Sequence, residues 1–469
     1  MGPRSLRRLK AKPRFKESRR VFLGSALAGI GSLSLPNILR LRAEAGTAPL
    51  RSDTSLIFLW QDGGPSHFET FDPKPMAPAE YRGELRAIPT SLPSVHFCEV
   101  LPRLSQLANK LTIVRSLHQP HSGHPEGSRY FLTGYVDANS AGASAHPDLG
   151  AVIHRLRSNH LGSMPKYVAM GPYAPGLHRG GPAYLGTAYK PFVAQGDPAG
   201  PDFRVEPFRP HEVNVGTRLQ ERRSLLASFD TMASRDHTGQ ADAIDRFRQR
   251  SLDLLTSPAA TTAFDLNRED RRVRERYGLN TAGQQALLAR RLVEAGVSVV
   301  AVRFSPDGRG DGDRSGVGWD DHAVHGNIFT IMRRRGPQFD QSVSALIEDL
   351  SERGLDRNVL LVVAGEFGRT PRISYANGET FNTGHGPGRD HWGAAGCALV
   401  FGGGMPMGQV IGGTNRLGEF PIDRAVQPQD LLATIYRFLG INPEHQFLNH
   451  AGRPISLLPF GTPIRELVD

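Results

Sequence analysis

Ser55-Leu56-Ile57-Phe58-Leu59-Trp60, followed at once by Gln61-Asp62-Gly63-Gly64, decides how the rest of the chain is read. Six apolar or small residues in succession, with no alternation, suit a strand covered on both faces, which is the habit of a parallel sheet. The polar and glycine-rich residues after it form a turn at the strand's carboxyl end, where α/β sheets gather their ligands. The same form recurs downstream. Val297–Arg303 is a second such run and leads into a glycine- and aspartate-rich loop over 307–321. Asn358–Ala364 is a third and ends in Gly365-Glu366. Shorter candidates are 111–116, 166–170 and 397–400, with helical patterns over 101–110, 148–158, 339–353 and 430–438. Alternation of buried strands with helices predicts a three-layer α/β/α sandwich with a mostly parallel central sheet. Residues 46–469 are read as one domain, with a loop-rich and helical insertion at about 171–295. That insertion carries expected helices at 218–229, 241–255, 268–277 and 283–294.

The charge is unevenly placed. Of a formal +10, the first 45 residues hold eleven basic and two acidic side chains, leaving +1 for the remaining 424. Without an excess of basic charge there, nucleic-acid binding is excluded as the main task. The basic approach, the small-residue apolar run from Val21 and the Ala43-Glu44-Ala45 site have the layout of an export signal. Ser18-Arg19-Arg20-Val21-Phe22-Leu23 resembles the twin-arginine motif, so residues 1–45 are expected to be removed and the protein to be exported already folded, to the periplasm or beyond. No later run approaches the roughly 20 apolar residues of a membrane span. Two cysteines, Cys98 and Cys397, exclude a disulfide scaffold and a cysteine-based metal cluster.

Asp62, Glu366 and the pair Asp320-Asp321 fall at or beyond strand tips, and His322 and Asp390-His391 lie in neighbouring loops. Carboxylates and imidazoles gathered at one sheet edge suit a divalent ion, with Zn, Mn, Ca and Mg all open. The expected ligands are Asp62, Asp320, His322, Glu366, Asp390 and His391. Arg115, Arg129, Arg369 and Arg389 are expected beside the candidate ligands, and a guanidinium fork matches phosphate or sulfate oxygens. His118, His121 and His124 are spaced by three, which places them on one side if the segment is helical.

The motifs in their order resemble a bacterial family of exported proteins, the domain of unknown function 1501. The residues that carry the resemblance are Trp60-Gln61-Asp62-Gly63-Gly64-Pro65-Ser66-His67, Leu132-Thr133-Gly134, Trp319-Asp320-Asp321-His322, Gly365-Glu366-Phe367-Gly368-Arg369-Thr370 and Gly388-Arg389-Asp390-His391-Trp392. That family is similar to the alkaline phosphatase and sulfatase superfamily, which implies metal held at the strand tips. By that resemblance Asp62 is a first metal aspartate, Asp320 and His322 a ligand pair, and His391 a late histidine. Glu366 stands where an aspartate is usual, and Phe367 where a histidine is. The formylglycine cysteine of sulfatases has no counterpart: depending on the alignment, its place holds His124 or Pro125.

Two functions follow. The first is a metal-dependent hydrolase of a phosphate or sulfate ester, acting on an anionic small molecule or glycan, with Arg129 or Arg389 clamping the anion. In that reading His124, or alternatively His67, is the acid–base group. The second is a catalytically degenerate member that serves as a binding or assembly protein of the cell envelope.

Overall fold

The structure is a computed structural model that describes residues 53–137, 144–158, 163–171, 180–201, 203–205, 253–254, 257–306, 318–324, 326–375 and 386–469. The export leader expected at 1–45 and the helices expected at 218–229 and 241–255 lie outside these residues, except for 253–254 at the end of the second helix.

Eight strands form the central sheet: β1 (Ser55–Trp60), β2 (Thr112–Leu117), β3 (Tyr167–Met170), β4 (Phe192–Ala194), β5 (Val299–Arg303), β6 (Val359–Ala364), β7 (Gly396–Gly402) and β8 (Gln409–Ile411). Their order is β8-β2-β7-β6-β1-β5-β3-β4. Every neighbouring pair is parallel except the two made by β7, which runs antiparallel to both β6 and β2. β7 follows β6 along the chain and lies beside it in the sheet, in the opposite direction. The described parts of the connection, 365–375 and 386–395, lie at the carboxyl edge of β1 and β6.

β1 sits between β5 and β6, with Leu56 level with Val299 on one side and Leu360 on the other. Its side chains alternate between two cores. Ile57 and Leu59 pack with α3 (Thr281–Glu294) and α4 (Ile328–Glu352), whereas Leu56, Phe58 and Trp60 pack with α1 (His124–Thr133), α2 (Leu149–Arg157) and α5 (Pro428–Phe438). The unbroken apolar run thus reflects period-two burial on both faces, and the architecture is the expected three-layer α/β/α sandwich.

Parts of the segment read as an insertion belong to this core. Phe192–Ala194 is the edge strand beside β3, and α3 supplies eleven buried residues on one face of the sheet. α4 starts eleven residues earlier than its periodicity predicts. The run Arg333-Arg334-Arg335-Gly336-Pro337 breaks the apolar pattern, yet Arg335 is fully buried against Asp321 and the missing side chain of Gly336 makes room for Val100. Both cysteines are free and buried. Among the described residues no helix is long and apolar enough to cross a membrane.

Candidate metal centre

Three loops at the carboxyl edge of the sheet meet here: the turn after β1, the segment 318–323, and the β6–β7 loop. Glycine lets them touch. A Cβ on Gly63, at φ +107°, would lie 2.6 Å from the Asp320 nitrogen, and one on Gly388 would lie 2.1 Å from that of Ala323. Arg369 fastens the loops. Its buried guanidinium donates to the carbonyls of Gly63, Gly64, Trp319 and Arg389, and through Nη2 to Asp320 Oδ1 at 2.7 Å. Gly368–Arg369 pairs antiparallel with His391–Trp392, which sets His391 opposite Arg369.

His124, Asp320, His322 and His391 each place a ligand atom within 4.8 Å of the others, forming a candidate divalent-metal group. His124 Nε2 stands 3.3 Å from Asp320 Oδ2. His322 Nε2 and His391 Nε2 lie 2.9 and 3.1 Å from Asp320 Oδ1, and 2.8 Å from each other. Two of the remaining nitrogens have separate partners. His124 Nδ1 is 2.7 Å from Glu366 Oε1, and His322 Nδ1 is 2.7 Å from Asp390 Oδ1. An Nδ1–H donated to a carboxylate fixes the tautomer and leaves the Nε2 lone pair for a cation, so the donor set fits a bound ion. Phe367 lies against His391 and His124, with ring centroids 4.7 and 5.3 Å away.

The electrostatics are those of imidazoles crowded on one carboxylate. Burial alone would raise the Asp320 pKa, but bonds from His124, His322 and His391, helped by Arg369, hold it far below the carboxylate range. Burial disfavours a charged His124, yet its bonds to Asp320 and Glu366 prevail and raise its pKa to about 9. His322 is raised for the same reason, by Asp320 and Asp390 against its burial. His391 goes the other way, because desolvation outweighs its bond to Asp320. Burial raises the pKa of Glu366, and the nearby Asp62 charge adds to that.

The other expected residues fall elsewhere. Asp62 accepts from Trp60 Nε1 at 3.3 Å and pairs with Arg303, and it stands outside the group of four. Glu366 and Asp390 reach it only through His124 and His322. His67 is buried, bonded to the Gly418 carbonyl, and driven by desolvation down to about 4. Arg129 is buried on α1 with Nη1 4.0 Å from Asp137. Arg389, expected as an anion clamp, is fully buried and committed to Glu69 and the carbonyls of Tyr81, Thr370 and Pro371. Its charge is already neutralised, and no N–H is left to face an anion. His118 and His121 precede α1, so the spacing of three does not align them with His124. The sequence leaves His124 open as an acid–base group or a ligand; the start of α1, just after the β2 loop, places it in the candidate group.

Residues 53–468 match the family described as protein of unknown function, DUF1501. The chain belongs to that family. Among solved structures, this DUF1501 chain is similar to a phosphonate monoester hydrolase from Silicibacter pomeroyi (13% identity, 88% of this chain and 76% of that one, TM-score 0.36). It is also similar to the C-terminal periplasmic domain of EcEptC from Escherichia coli in complex with Zn (12%, 88% and 98%, 0.35) and to the PsFucS1 sulfatase from Pseudoalteromonas sp. (12%, 87% and 72%, 0.34). A comparison of the DUF1501 chain with curated proteins finds no match.

Proposed function

We propose that this protein is a metal-dependent hydrolase of phosphate or sulfate esters that works outside the cytoplasm. The observation that carries the reading is the convergence of three imidazole Nε2 atoms on the Asp320 carboxylate at a strand-tip edge. Three imidazoles and one carboxylate favour Zn or Mn over the oxygen-seeking Ca and Mg. A divalent ion supplies positive charge against a developing oxyanion and a way to activate water at neutral pH. The chain's own residues do the rest. Glu366 and Asp390 hold the Nδ1 protons of His124 and His322, Arg369 keeps Asp320 ionised and aimed, and Phe367 shields one flank of the imidazoles from water. The substrate class is an anionic small-molecule or glycan ester.

The test is metal content followed by turnover on a panel of aryl phosphates and sulfates, with Asp320→Asn alongside. Metal-dependent turnover that Asp320→Asn abolishes supports the proposal. Bound metal without turnover on any ester counts against hydrolysis and favours the second reading, a degenerate binding protein of the envelope. One observation favours that second reading: both arginines expected to clamp an anion are engaged with carboxylates. Export is tested apart from chemistry. Replacing Arg19 and Arg20 together by Lys is expected to hold the protein in the cytoplasm, and unchanged export would rule out the twin-arginine route.

A further inference from the structure

Two more buried carboxylates, Asp62 and Glu366, adjoin the group of four, so the number of ions turns on what already occupies them. Asp62 is 5% exposed, and the Arg303 guanidinium at the end of β5 pairs with its Oδ2. Its Oδ1 accepts from Trp60, and its carbonyl accepts from the Trp319 N–H at 2.7 Å. Glu366 Oε1 takes two donors, His124 Nδ1 and the Gly63 N–H at 2.9 Å. Its other oxygen has no partner, and neither has the amide oxygen of Gln119. Both residues line one small cavity, with Gly365, Gly393 and Cys397, and a water there would serve both acceptors. On the flank between Gly64 and the imidazoles the space is filled by the Phe367 ring, 2.6 Å from where a Gly64 Cβ would stand.

Charge points the same way. Among the described residues, Asp62, Asp320, Glu366 and the half-exposed Asp390 bring four negative charges, and Arg303 and Arg369 bring two positive ones. The neighbouring pairs Asp321–Arg335 and Glu69–Arg389 are each neutral by themselves. With neutral imidazole ligands, one dication balances the remainder. A second would leave uncompensated positive charge in a buried volume, which is costly.

We infer that the centre takes a single divalent ion and that Arg303, as a fixed guanidinium on Asp62, occupies the place where a second ion would otherwise be bound. This rests on the reading of His124, Asp320, His322 and His391 as ligands. The full chain, stripped by chelator and reloaded with Zn, is weighed by native mass spectrometry and assayed for metal content. One ion per chain is expected, and Asp62→Asn is expected to keep that ion with less than about a tenfold change in affinity, as befits a residue that does not ligate. Two ions in the wild type, falling to one in Asp62→Asn, would overturn the inference while leaving the centre itself intact. No ion at all would remove the reading beneath it as well. Arg303→Met, where circular dichroism shows it folded, is expected to admit a second ion at high Zn. A folded Arg303→Met that still binds one overturns the role given to the guanidinium. If that variant does not fold, the wild-type and Asp62→Asn stoichiometries decide.

Discussion

Metal binding at this centre should be strongly coupled to protons. In the metal-free protein His124 has its pKa raised to about 9, so it is protonated at neutral pH, and its two N–H groups face Asp320 and Glu366. His322 is also raised above the ordinary histidine value, while His391 is lowered and already neutral near pH 7. A ligand nitrogen must give up its proton to bind a cation. Loading at pH 7 should therefore release one proton from His124 and a further fraction from His322, in total between about one and two per ion. The sign follows from the raised values: affinity rises with pH and levels off only above about 9, where His124 is already neutral. Each coupled proton is worth tenfold per pH unit, about 1.4 kcal/mol, so affinity should climb by roughly 10- to 100-fold per unit between pH 6.5 and 8. Titration calorimetry with Zn in buffers of different ionisation enthalpy counts the protons directly. Release of none, or affinity flat across that range, would refute the ligand role of His124 and with it the assignment of the group.

Glu366→Gln keeps an acceptor near His124 Nδ1 but removes its charge, and should weaken Zn binding by about 10- to 100-fold with the fold intact. Competition against a chromogenic chelator reads that change, and an unaltered affinity would deny Glu366 its orienting task. Gly64→Ala forces a side chain onto a backbone at φ +82° and a Cβ to 2.6 Å from Phe367 Cδ2. Left-handed strain and overpacking together should cost at least about 2 kcal/mol in denaturant unfolding. Arg335→Met removes the guanidinium paired with buried Asp321 and should cost about 3–5 kcal/mol in the same assay. A loss below about 1 kcal/mol would show that Asp321 finds another donor.

Most of the sheet could be read from single strands. β1, β5 and β6 are short apolar runs bounded by turn residues, and Asp148 marks the start of α2, where it accepts from the Ala151 N–H. The start of α4 was hidden, because the residue that spoils its periodicity, Arg335, is made acceptable only by an aspartate brought to it through tertiary packing. At the centre, Asp320, His322 and His391 were legible because they stand beside glycine-rich strand tips. Two of the misplacements were charged residues whose partners lie far along the chain: Asp62 with Arg303, and Arg389 with Glu69.

The order of residues alone settled which segments are buried on both faces and that carboxylates and imidazoles collect at strand tips, since these depend on local composition and period. Which of those groups point their Nε2 or carboxylate at one another, and which are neutralised by a guanidinium beforehand, was decided only when the turn after β1, the 318–323 segment and the β6–β7 loop closed together. Electrostatic pairing acts over a few ångströms of space, and separation along the chain carries almost no information about it.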